Sequence, residues 1–368
     1  MRIATAEVIP YGLPLKRPYV TATGTLERRE MVLLRLRTEA GIVALGEAVP
    51  LSLRGGATLR RVERSLVRVA RRLARLDITA MAEEQPLGAA VDALIHVAAG
   101  RRLPAPAKAA VEMALFDLAG RLSGTPLWRM LRGESPAPVR CNATLAADSP
   151  QALAAEAAAW SERGFETFKL KLGVGDDLER ARAVREAVGP DAHLRVDANG
   201  AWSPDRAVAA LSEIEALGIE LVEQPTATLR EMAAVAAATP IPVAADESVT
   251  SSREAKKAVQ AGACRLATVK LSKVGGTGPA AAIAAELPVY LSSALDGPVG
   301  IAAAAHAAQA LYRDRDDPGL AHGLATQVLF GETIASLECE LREGFLHLPE
   351  GPGLAVEIDE RALERHRL

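Results

Sequence analysis

The second half of the chain carries five charged residues at nearly even spacing. Lys171, Asp197, Glu223, Asp246 and Lys270 are separated by 26, 26, 23 and 24 residues, and each follows a short apolar run. Such spacing is typical of one strand-plus-helix unit in a parallel sheet. Catalytic groups of parallel barrels lie at the carboxyl ends of the strands, so the pattern predicts one shared site. A single Asp at a strand end often only caps the next helix, but five consecutive examples favour a function.

The residue types indicate the chemistry of this site. Three carboxylates without His or Cys are hard oxygen donors that favour Mg²⁺, with its remaining positions left to water and substrate. Lys171 and Lys270 would come from strands that face each other across an eight-stranded barrel. A cation stabilises the enediolate that forms when a proton next to a carboxylate is removed, and lysines can carry that proton. The set therefore predicts α-proton abstraction from a carboxylic acid, followed by reprotonation or loss of a β-group.

A second lysine, Lys169, stands two residues before Lys171 in the run "FETFKLKLG". Side chains alternate along a strand, so both lysines should point into the barrel while Leu170 and Leu172 face the outer helices. Burial beside a cation disfavours the charged form of a lysine and brings its pKa toward the useful range of about 7 to 8 for a base. Lys169 either lowers the pKa of Lys171 and contacts the substrate carboxylate, or pairs with one of the metal-binding carboxylates. The sequence leaves both roles open.

The elements that must position these residues follow from periodicity. Residues 1–50 read as strands, and residues 59–73 and 105–131 as helices, which makes a β-plus-α module that closes near residue 130. From residue 137, seven short apolar runs alternate with Ala-rich helices, and a weaker eighth run lies at 320–326. This alternation predicts a closed parallel barrel. A doubly wound open sheet is the alternative, but its usual glycine-rich loop after the first strand is missing.

Composition excludes several classes of function. The net charge of −3 and the isoelectric point of about 6.2 argue against nucleic acid or an anionic membrane as partners. Three scattered cysteines, Cys141, Cys264 and Cys339, form no CxxC pattern, which argues against disulfides or a zinc site and for a reducing compartment. No apolar run has signal-peptide or membrane-spanning length. We therefore expect a cytoplasmic protein, with an oligomeric state that the sequence leaves open and a homo-oligomer as one possibility.

Five short motifs resemble those of the enolase superfamily, in its muconate lactonizing enzyme subgroup: "KLK", "DAN", "EQP", "DES" and "VKLSKVGG", preceded by "GEAVP" at 46–50. The resemblance implies an α/β fold, a (β/α)7β modified TIM barrel over 131–334, with an α+β N-terminal capping domain over 1–130 that residues 335–368 complete. It implies that Asp197, Glu223 and Asp246 bind Mg²⁺, for which Mn²⁺ can substitute. It also makes Lys171 and Lys270 the acid/base pair, assisted by Lys169.

The same resemblance indicates a supporting set and a substrate. Asn199, Glu247 and Ser293 are expected to contact the metal ligands or a small-molecule carboxylate substrate. The stretches "SSALDGPVG" (292–300) and "HGLATQVLF" (322–330) resemble o-succinylbenzoate synthases. That likeness implies dehydration to 2-succinylbenzoate in menaquinone biosynthesis. Dipeptide epimerases instead tend to carry an Asp-x-Asp pair in the latter stretch, and none is present here.

Other activities stay open at this point. A dipeptide epimerase, an N-acylamino acid racemase or a muconate-type cycloisomerase would use the same residues. A metal-free lyase could form a Schiff base at Lys270, and a non-catalytic barrel could serve as a binding module. The segments 21–30 and 51–56 are the candidates for loops that set substrate specificity, and the glycines of the second suggest a lid.

Overall fold

The N-terminal region is built on a three-stranded antiparallel sheet whose strands lie in chain order. The computed structural model describes residues 2–21, 24–52, 55–74, 77–78, 91, 94–95, 103–131, 133, 137–173, 175–311 and 319–368. The strands of this sheet are β1 (Ile3–Thr21), β2 (Gly24–Thr38) and β3 (Val43–Ala48). The Ala105–Ser123 helix crosses β3 at Gly46, where a Cβ atom would lie only 1.9 Å from the Ala110 carbonyl oxygen. Glycine at this position therefore lets helix and sheet backbones touch.

The Leu59–Leu73 helix shows how the sequence pattern becomes packing. Its predicted apolar stripe lies against the core, since Val62, Leu66, Val69 and Leu73 are buried. The helix begins at Thr58, whose hydroxyl accepts a hydrogen bond from the Arg61 N–H, a usual helix N-cap. The arginines between the apolar positions face outward, as the amphipathic pattern predicts.

The second region is a parallel barrel. Seven strands form one sheet in sequence order: β5 (Ala143–Leu145), β6 (Thr167–Lys171), β7 (His193–Asp197), β8 (Ile219–Glu223), β9 (Val243–Ala245), β10 (Leu266–Val269) and β11 (Val289–Leu291). The weak eighth run closes the ring by isolated pairings. The Asn142 N–H donates to the His322 carbonyl oxygen at 2.9 Å on one side, and the Gly323 N–H donates to the Leu291 carbonyl oxygen at 2.8 Å on the other. The predicted (β/α)7β architecture is confirmed.

Helices connect and cover the strands. They are Leu59–Leu73, Ala105–Ser123, Leu127–Met130, Pro150–Ser161, Asp177–Val188, Pro204–Ile214, Leu229–Ala238, Ser252–Gln260, Leu271–Val274, Thr277–Ala284, Pro298–Leu311 and Glu360–His366. Ser, Thr or Asp side chains cap the helices that follow β5 to β9: Ser149, Asp176, Ser203, Thr228 and Ser251. These caps satisfy backbone N–H groups that a helix leaves unpaired at its start. Within the described ranges, no helix has both the length and the apolar character needed to cross a lipid bilayer.

The C-terminal residues contact both regions. The strands here are β4 (Val139–Arg140), β12 (Ala335–Leu337), β13 (Glu340–Arg342), β14 (Phe345–His347) and β15 (Glu357–Ile358). β14 pairs with β13 and with β4, which immediately precedes the barrel. Toward the N-terminal region, the Leu354 N–H donates to the buried Asp117 carboxylate at 2.8 Å, and Arg35 pairs with Glu360 at 2.9 Å. The segment therefore ties the two regions together.

Two buried glutamates of the N-terminal region accept hydrogen bonds from the backbone of barrel segments. The Glu112 carboxylate accepts the N–H groups of Thr277 and Gly278, the latter at 3.0 Å, and so caps the Thr277–Ala284 helix. Glu47 accepts the Gly297 N–H at 2.7 Å and the Tyr11 hydroxyl at 2.9 Å. Burial raises the pKa of each glutamate to about 7, although the donated hydrogen bonds oppose this shift.

Replacing Glu112 with Gln should change how stability depends on pH. Burial raises the pKa of Glu112 from 4.5 to about 7, so in this range the folded protein keeps a proton that the unfolded chain releases. The protonated side chain of Glu112 makes its full contribution to the free energy of unfolding below about pH 4.5. This contribution is lost as the pH rises through about 7. Relative to the Glu112→Gln variant, the wild-type free energy of unfolding should fall by about 3 kcal/mol over that interval, as measured by urea titration.

A matched control separates this effect from general titration. Glu186 is an exposed carboxylate on the Asp177–Val188 helix, and Glu186→Gln should shift stability little and without that pH dependence. A difference between the wild type and Glu112→Gln that stays constant from pH 5 to pH 7.5 would contradict the prediction.

Candidate active site

The carboxyl ends of the barrel strands surround a cavity of about 300 Å³. Four of the five predicted strand-end residues line it, namely Lys171, Asp197, Asp246 and Lys270. The fifth, Glu223, is fully buried and lies outside the set of lining residues. Strand register places Lys171 beside Asp197, and Asp197 beside Glu223. The structure therefore brings the predicted set to one mouth of the barrel, with Glu223 in its floor.

Lys169 lies between two of the carboxylates. Its Nζ is 2.7 Å from Glu223 Oε2 and 2.9 Å from Asp197 Oδ2, and only 8% of its side chain is exposed. Burial alone would lower the pKa of Lys169, but Asp197 and Glu223 outweigh it and hold the pKa well above its usual value. Likewise burial would raise the pKa of Asp197, and Lys169 and Lys171 bring it below its ordinary value. The geometry is that of the pairing alternative, in which Lys169 stays charged and neutralises buried carboxylates.

Asp246 is held by two lysines. Lys270 Nζ donates to Asp246 Oδ2, and Lys273 Nζ donates to Oδ1 at 2.6 Å and to the Thr268 carbonyl oxygen at 3.2 Å. Burial lowers the pKa of Lys273, an effect that Asp246 only partly offsets and that Lys270 reinforces. Sequence reasoning missed Lys273, although it stands three residues after Lys270 and so on the same side of the short Leu271–Val274 helix.

Asn199 connects the base candidate to a neighbouring strand end. Its side-chain oxygen accepts a hydrogen bond from Lys171 Nζ at 3.5 Å, and its amide nitrogen donates to Glu247 Oε1 at 3.4 Å. Its own backbone N–H donates to Asp197 Oδ1 at 3.0 Å. Asn199 adopts a left-handed backbone with φ 47°, a conformation that non-glycine residues hold where local contacts demand it. The predicted supporting residues Asn199 and Glu247 thus belong to one network with Lys171.

Gln224 has a similar positioning role, which was not predicted from the sequence. Its φ is 39°, and its side-chain oxygen accepts the N–H groups of Asp246 at 2.9 Å and Ser248 at 3.2 Å. The side chain therefore ties the end of β8 to the segment after β9. The "EQP" motif contains this residue, so the signal was present in the sequence.

Below the cavity, Glu223 rests on an aromatic side chain. The Tyr290 hydroxyl donates to Glu223 Oε2, the same oxygen that Lys169 contacts. The guanidinium of Arg195 lies over the Tyr290 ring, with its Cζ 4.9 Å from the ring centroid. Tyr290 lies in the apolar run "PVYLSS", so its neighbours in the sequence do not distinguish it from a core residue. Inward-facing alternation along β11 was the available signal.

The opposite wall comes from the barrel's closing segments. Ser292, Ser293, Gly323, Thr326 and Leu329 line it. Ser293 exchanges two hydrogen bonds with Asp296, each 2.8 Å long, so its hydroxyl shapes the turn before the Pro298–Leu311 helix as well as facing the cavity. All of the acidic side chains that the structure shows lining the cavity, Asp197, Asp246 and Glu247, lie on the other side, at or just after the ends of β7 and β9.

The N-terminal region covers the cavity. Tyr19, Leu26, Arg29 and Leu51 line it, so the described parts of segments 21–30 and 51–56 do reach the site, while residues 22–23 and 53–54 lie outside the described residues. The Tyr19 ring centroid is 5.5 Å from Lys171 Nζ, within cation–π range.

Arg29 reaches the cavity from β2. Its Nη2 donates to the carbonyl oxygens of Pro50 at 2.7 Å and Ala294 at 2.9 Å. Its Nε is buried and has no hydrogen-bond partner among the described residues. It was not singled out from the sequence, where it stands in a run of charged residues. The guanidinium therefore lies at this wall, within electrostatic range of the buried carboxyl groups of Asp296 and Glu47.

The carboxylates suit a hard divalent cation by their chemistry. Within the described ranges, no three Asp, Glu, His or Cys side chains are already gathered as metal ligands; lysine ammonium groups pair with the carboxylates instead. One observation supports a further ligand at this place: Glu223 Oε1 is buried and has no hydrogen-bond partner among the described residues. A buried carboxylate oxygen without a partner is costly, and a bound cation would satisfy it.

Comparison with protein families matches almost the whole chain. The Mandelate racemase / muconate lactonizing enzyme, N-terminal domain, matches residues 3–132. The family described as Enolase C-terminal domain-like matches residues 152–362.

Similar proteins are enzymes of several activities. The chain is 35% identical to the L-Ala-D/L-Glu epimerase of Bacillus subtilis, over 83% of this chain and 84% of that one. It is 33% identical to the N-succinylamino acid racemase of Thermus thermophilus, over 99% and 97%. The structure of the dipeptide epimerase from Enterococcus faecalis V583, complexed with Mg and the dipeptide L-Leu-L-Tyr, superposes with a TM-score of 0.86 at 29% identity, covering 97% of this chain and all of that one. The chain therefore belongs to the mandelate racemase/muconate lactonizing enzyme family, and it is an enzyme of the enolase superfamily, whose reactions proceed by abstraction of a proton.

Proposed function

We propose that this protein is a metal-assisted racemase or epimerase that removes and returns the proton next to the carboxylate of an N-acylated amino acid. The observation that carries the proposal is the placement of Lys171 and Lys270. Lys171 ends the second strand of a closed eight-stranded ring and Lys270 directly follows the sixth, and both line one cavity with carboxylates between them. Strands four apart in such a ring face each other, so the substrate would have an amine on either side.

A pair of lysines suits inversion at a carbon atom. Racemisation needs a base on one face of the α-carbon and an acid on the other, and the two exchange roles with the direction of the reaction. Dehydration needs only one lysine, which can remove the proton and then protonate the departing hydroxide. The similar proteins include epimerases, racemases and muconate cycloisomerases, which supports the alternative interpretation of the sequence over the synthesis of 2-succinylbenzoate.

Asp197, Glu223 and Asp246 are the residues that would hold Mg²⁺. Their oxygen donors fit this ion, and the Mg bound to the similar Enterococcus faecalis epimerase supports the choice. When bound, the cation supplies positive charge where negative charge grows on the substrate carboxylate. The positive charge of Lys169 offsets the negative charge of Asp197 and Glu223 that the cation does not neutralise. Asn199 orients Lys171 through a hydrogen bond to its Nζ. Mn²⁺ prefers similar oxygen ligands, and we expect it to substitute.

The acyl group is proposed from the wall opposite the carboxylates. A dipeptide with a free α-ammonium group would need negative charge there, and the lining residues on this wall are serines, a threonine, a glycine and apolar side chains. Arg29 lines the cavity beside this wall, whereas Asp296, the buried acidic partner of Ser293 and Arg29, lies outside the set of lining residues. An uncharged amide with an anionic acyl group, such as N-succinyl, therefore matches the wall better than a free ammonium group does.

The experiment is a substrate panel with the purified protein and Mg²⁺. N-succinyl amino acids, dipeptides such as L-Ala-L-Glu and the o-succinylbenzoate precursor are incubated in D₂O. Deuterium at the α-carbon is read by NMR and dehydration by ultraviolet absorbance. We expect exchange and racemisation to be fastest for an N-succinyl amino acid and to stop with EDTA. Faster epimerisation of a dipeptide, or dehydration as the dominant activity, would replace the proposed substrate; no exchange with any acid would refute the proposal.

Single lysine variants should separate the two faces of the reaction. Lys171→Ala and Lys270→Ala should each slow racemisation by about 10²- to 10⁴-fold, since each removes one acid/base group. Each variant should keep deuterium exchange with only one enantiomer, the one whose proton faces the remaining lysine. Exchange of both enantiomers is followed by NMR.

The control for these variants is Lys256→Ala. Lys256 is an exposed lysine on the Ser252–Gln260 helix, paired at the surface with Glu286, and its loss should leave both rates unchanged. If one lysine variant kept exchange with both enantiomers, the two-base assignment would be wrong.

Replacing Arg29 with Met should change selectivity between acyl groups. If Arg29 attracts an anionic acyl group, kcat/KM for an N-succinyl amino acid should fall about tenfold or more relative to kcat/KM for the N-acetyl analogue, because a charged hydrogen bond is lost. A purely structural role would lower both values together. Arg28→Met is the matched control, since Arg28 is the exposed neighbour on the same strand and should leave the ratio unchanged.

A further inference from the structure

We propose that Tyr290 is a positioning residue for Glu223. Its hydroxyl, together with Lys169, fixes one oxygen of this carboxylate so that the other oxygen is presented to the metal ion. The inference rests on the proposed metal site. Tyr290 itself lies outside the set of residues that line the cavity, so it would act through Glu223 and not by touching the substrate.

The two oxygens of Glu223 have different surroundings. Oε2 accepts hydrogen bonds from the Tyr290 hydroxyl and, at 2.7 Å, from Lys169 Nζ. Oε1 is buried and has no hydrogen-bond partner among the described residues. Two donors on one oxygen set the rotation of the carboxylate, which leaves the second oxygen as the available ligand. Outer hydrogen bonds of this kind are known to orient carboxylate ligands in metal sites.

The position of Tyr290 is itself held by the barrel interior. Its ring packs in a cluster with Leu221, Ala244 and Leu266, from the strands β8, β9 and β10. The guanidinium of Arg195 lies over the ring at 4.9 Å. A cation over an aromatic face attracts the ring and limits its motion.

Arg195 is anchored in turn. Its Nη1 donates to the Ala321 carbonyl oxygen at 2.6 Å, on the segment that closes the barrel, and its Nε pairs with Glu220. Arg195 stands two residues before Asp197, on the same inward face of β7. One stack of side chains therefore runs from the closing segment through Arg195 and Tyr290 to Glu223. This stack holds the Tyr290 hydroxyl in the interior of the barrel.

The experiment measures Mg²⁺ affinity directly, by calorimetry of the metal-free full-length protein titrated with the metal alone. Tyr290→Phe keeps the ring and its contact with Arg195 and removes only the hydroxyl. We expect the dissociation constant for Mg²⁺ to rise about 10- to 100-fold, the usual cost of losing a group that orients a metal ligand. Thermal unfolding without metal is recorded for the same samples.

Tyr11→Phe is the matched control. It also removes a buried tyrosine hydroxyl that donates to a glutamate, Glu47, at 2.9 Å, but at the junction with the barrel loop and not beneath the cavity. We expect it to leave Mg²⁺ affinity unchanged, whatever it does to the unfolding temperature. A general loss of stability would lower the Mg²⁺ affinity of both variants, whereas a positioning role lowers the affinity of Tyr290→Phe alone.

The outcomes separate this inference from the proposed function. If the wild type binds Mg²⁺ and Tyr290→Phe binds it equally well, or if both variants lose affinity equally, the positioning role is wrong and the proposed function stands. If the wild-type protein binds no Mg²⁺, the metal site of the proposed function fails and this inference falls with it.

Discussion

The balance of buried charge at the barrel mouth is the constraint on which the rest of the structure depends. Three carboxylates sit at consecutive strand ends with almost no exposure to water, and a buried charge is tolerated only when it is paired. Lys169 forms ion pairs with Asp197 and Glu223, while Lys270 and Lys273 form ion pairs with Asp246. The lysines that could move a proton are thus inseparable from the charges that keep this end of the barrel folded.

The same rule operates where the N-terminal region meets the barrel. Glu47 and Glu112 are buried acidic groups that accept hydrogen bonds from backbone N–H groups at the starts of barrel helices. Such contacts require loops at fixed positions: at Gly276, a Cβ atom would lie 1.8 Å from Glu112 Oε2. The N-terminal region is therefore held on the barrel by directional bonds. That arrangement keeps Arg29 and Leu51 over the cavity.

The charged residues of the candidate site and the rest of the cavity lining come from different parts of the chain. The groups that could move a proton or hold a metal lie at or near strand ends of the barrel, where the sheet holds them rigidly. The other residues that line the cavity lie mainly on the N-terminal region and on segments 292–295 and 323–329. Family relatives with epimerase and racemase activities differ in what they act on. A division of this kind would let substitutions in the outer wall change the substrate without moving the charged floor.

The sequence by itself determined the class of fold and the charged strand ends, because strand alternation and the strand–helix repeat are local patterns. The even spacing of Lys171, Asp197, Glu223, Asp246 and Lys270 is enough to place them at one edge of a parallel sheet. Only the tertiary structure decided which partner each charge has. Lys169 meets Glu223 across 54 residues, Glu112 meets Thr277 across 165, and Tyr290 meets Glu223 across 67. Such pairings depend on strand register and on closure of the ring, and a local pattern carries neither.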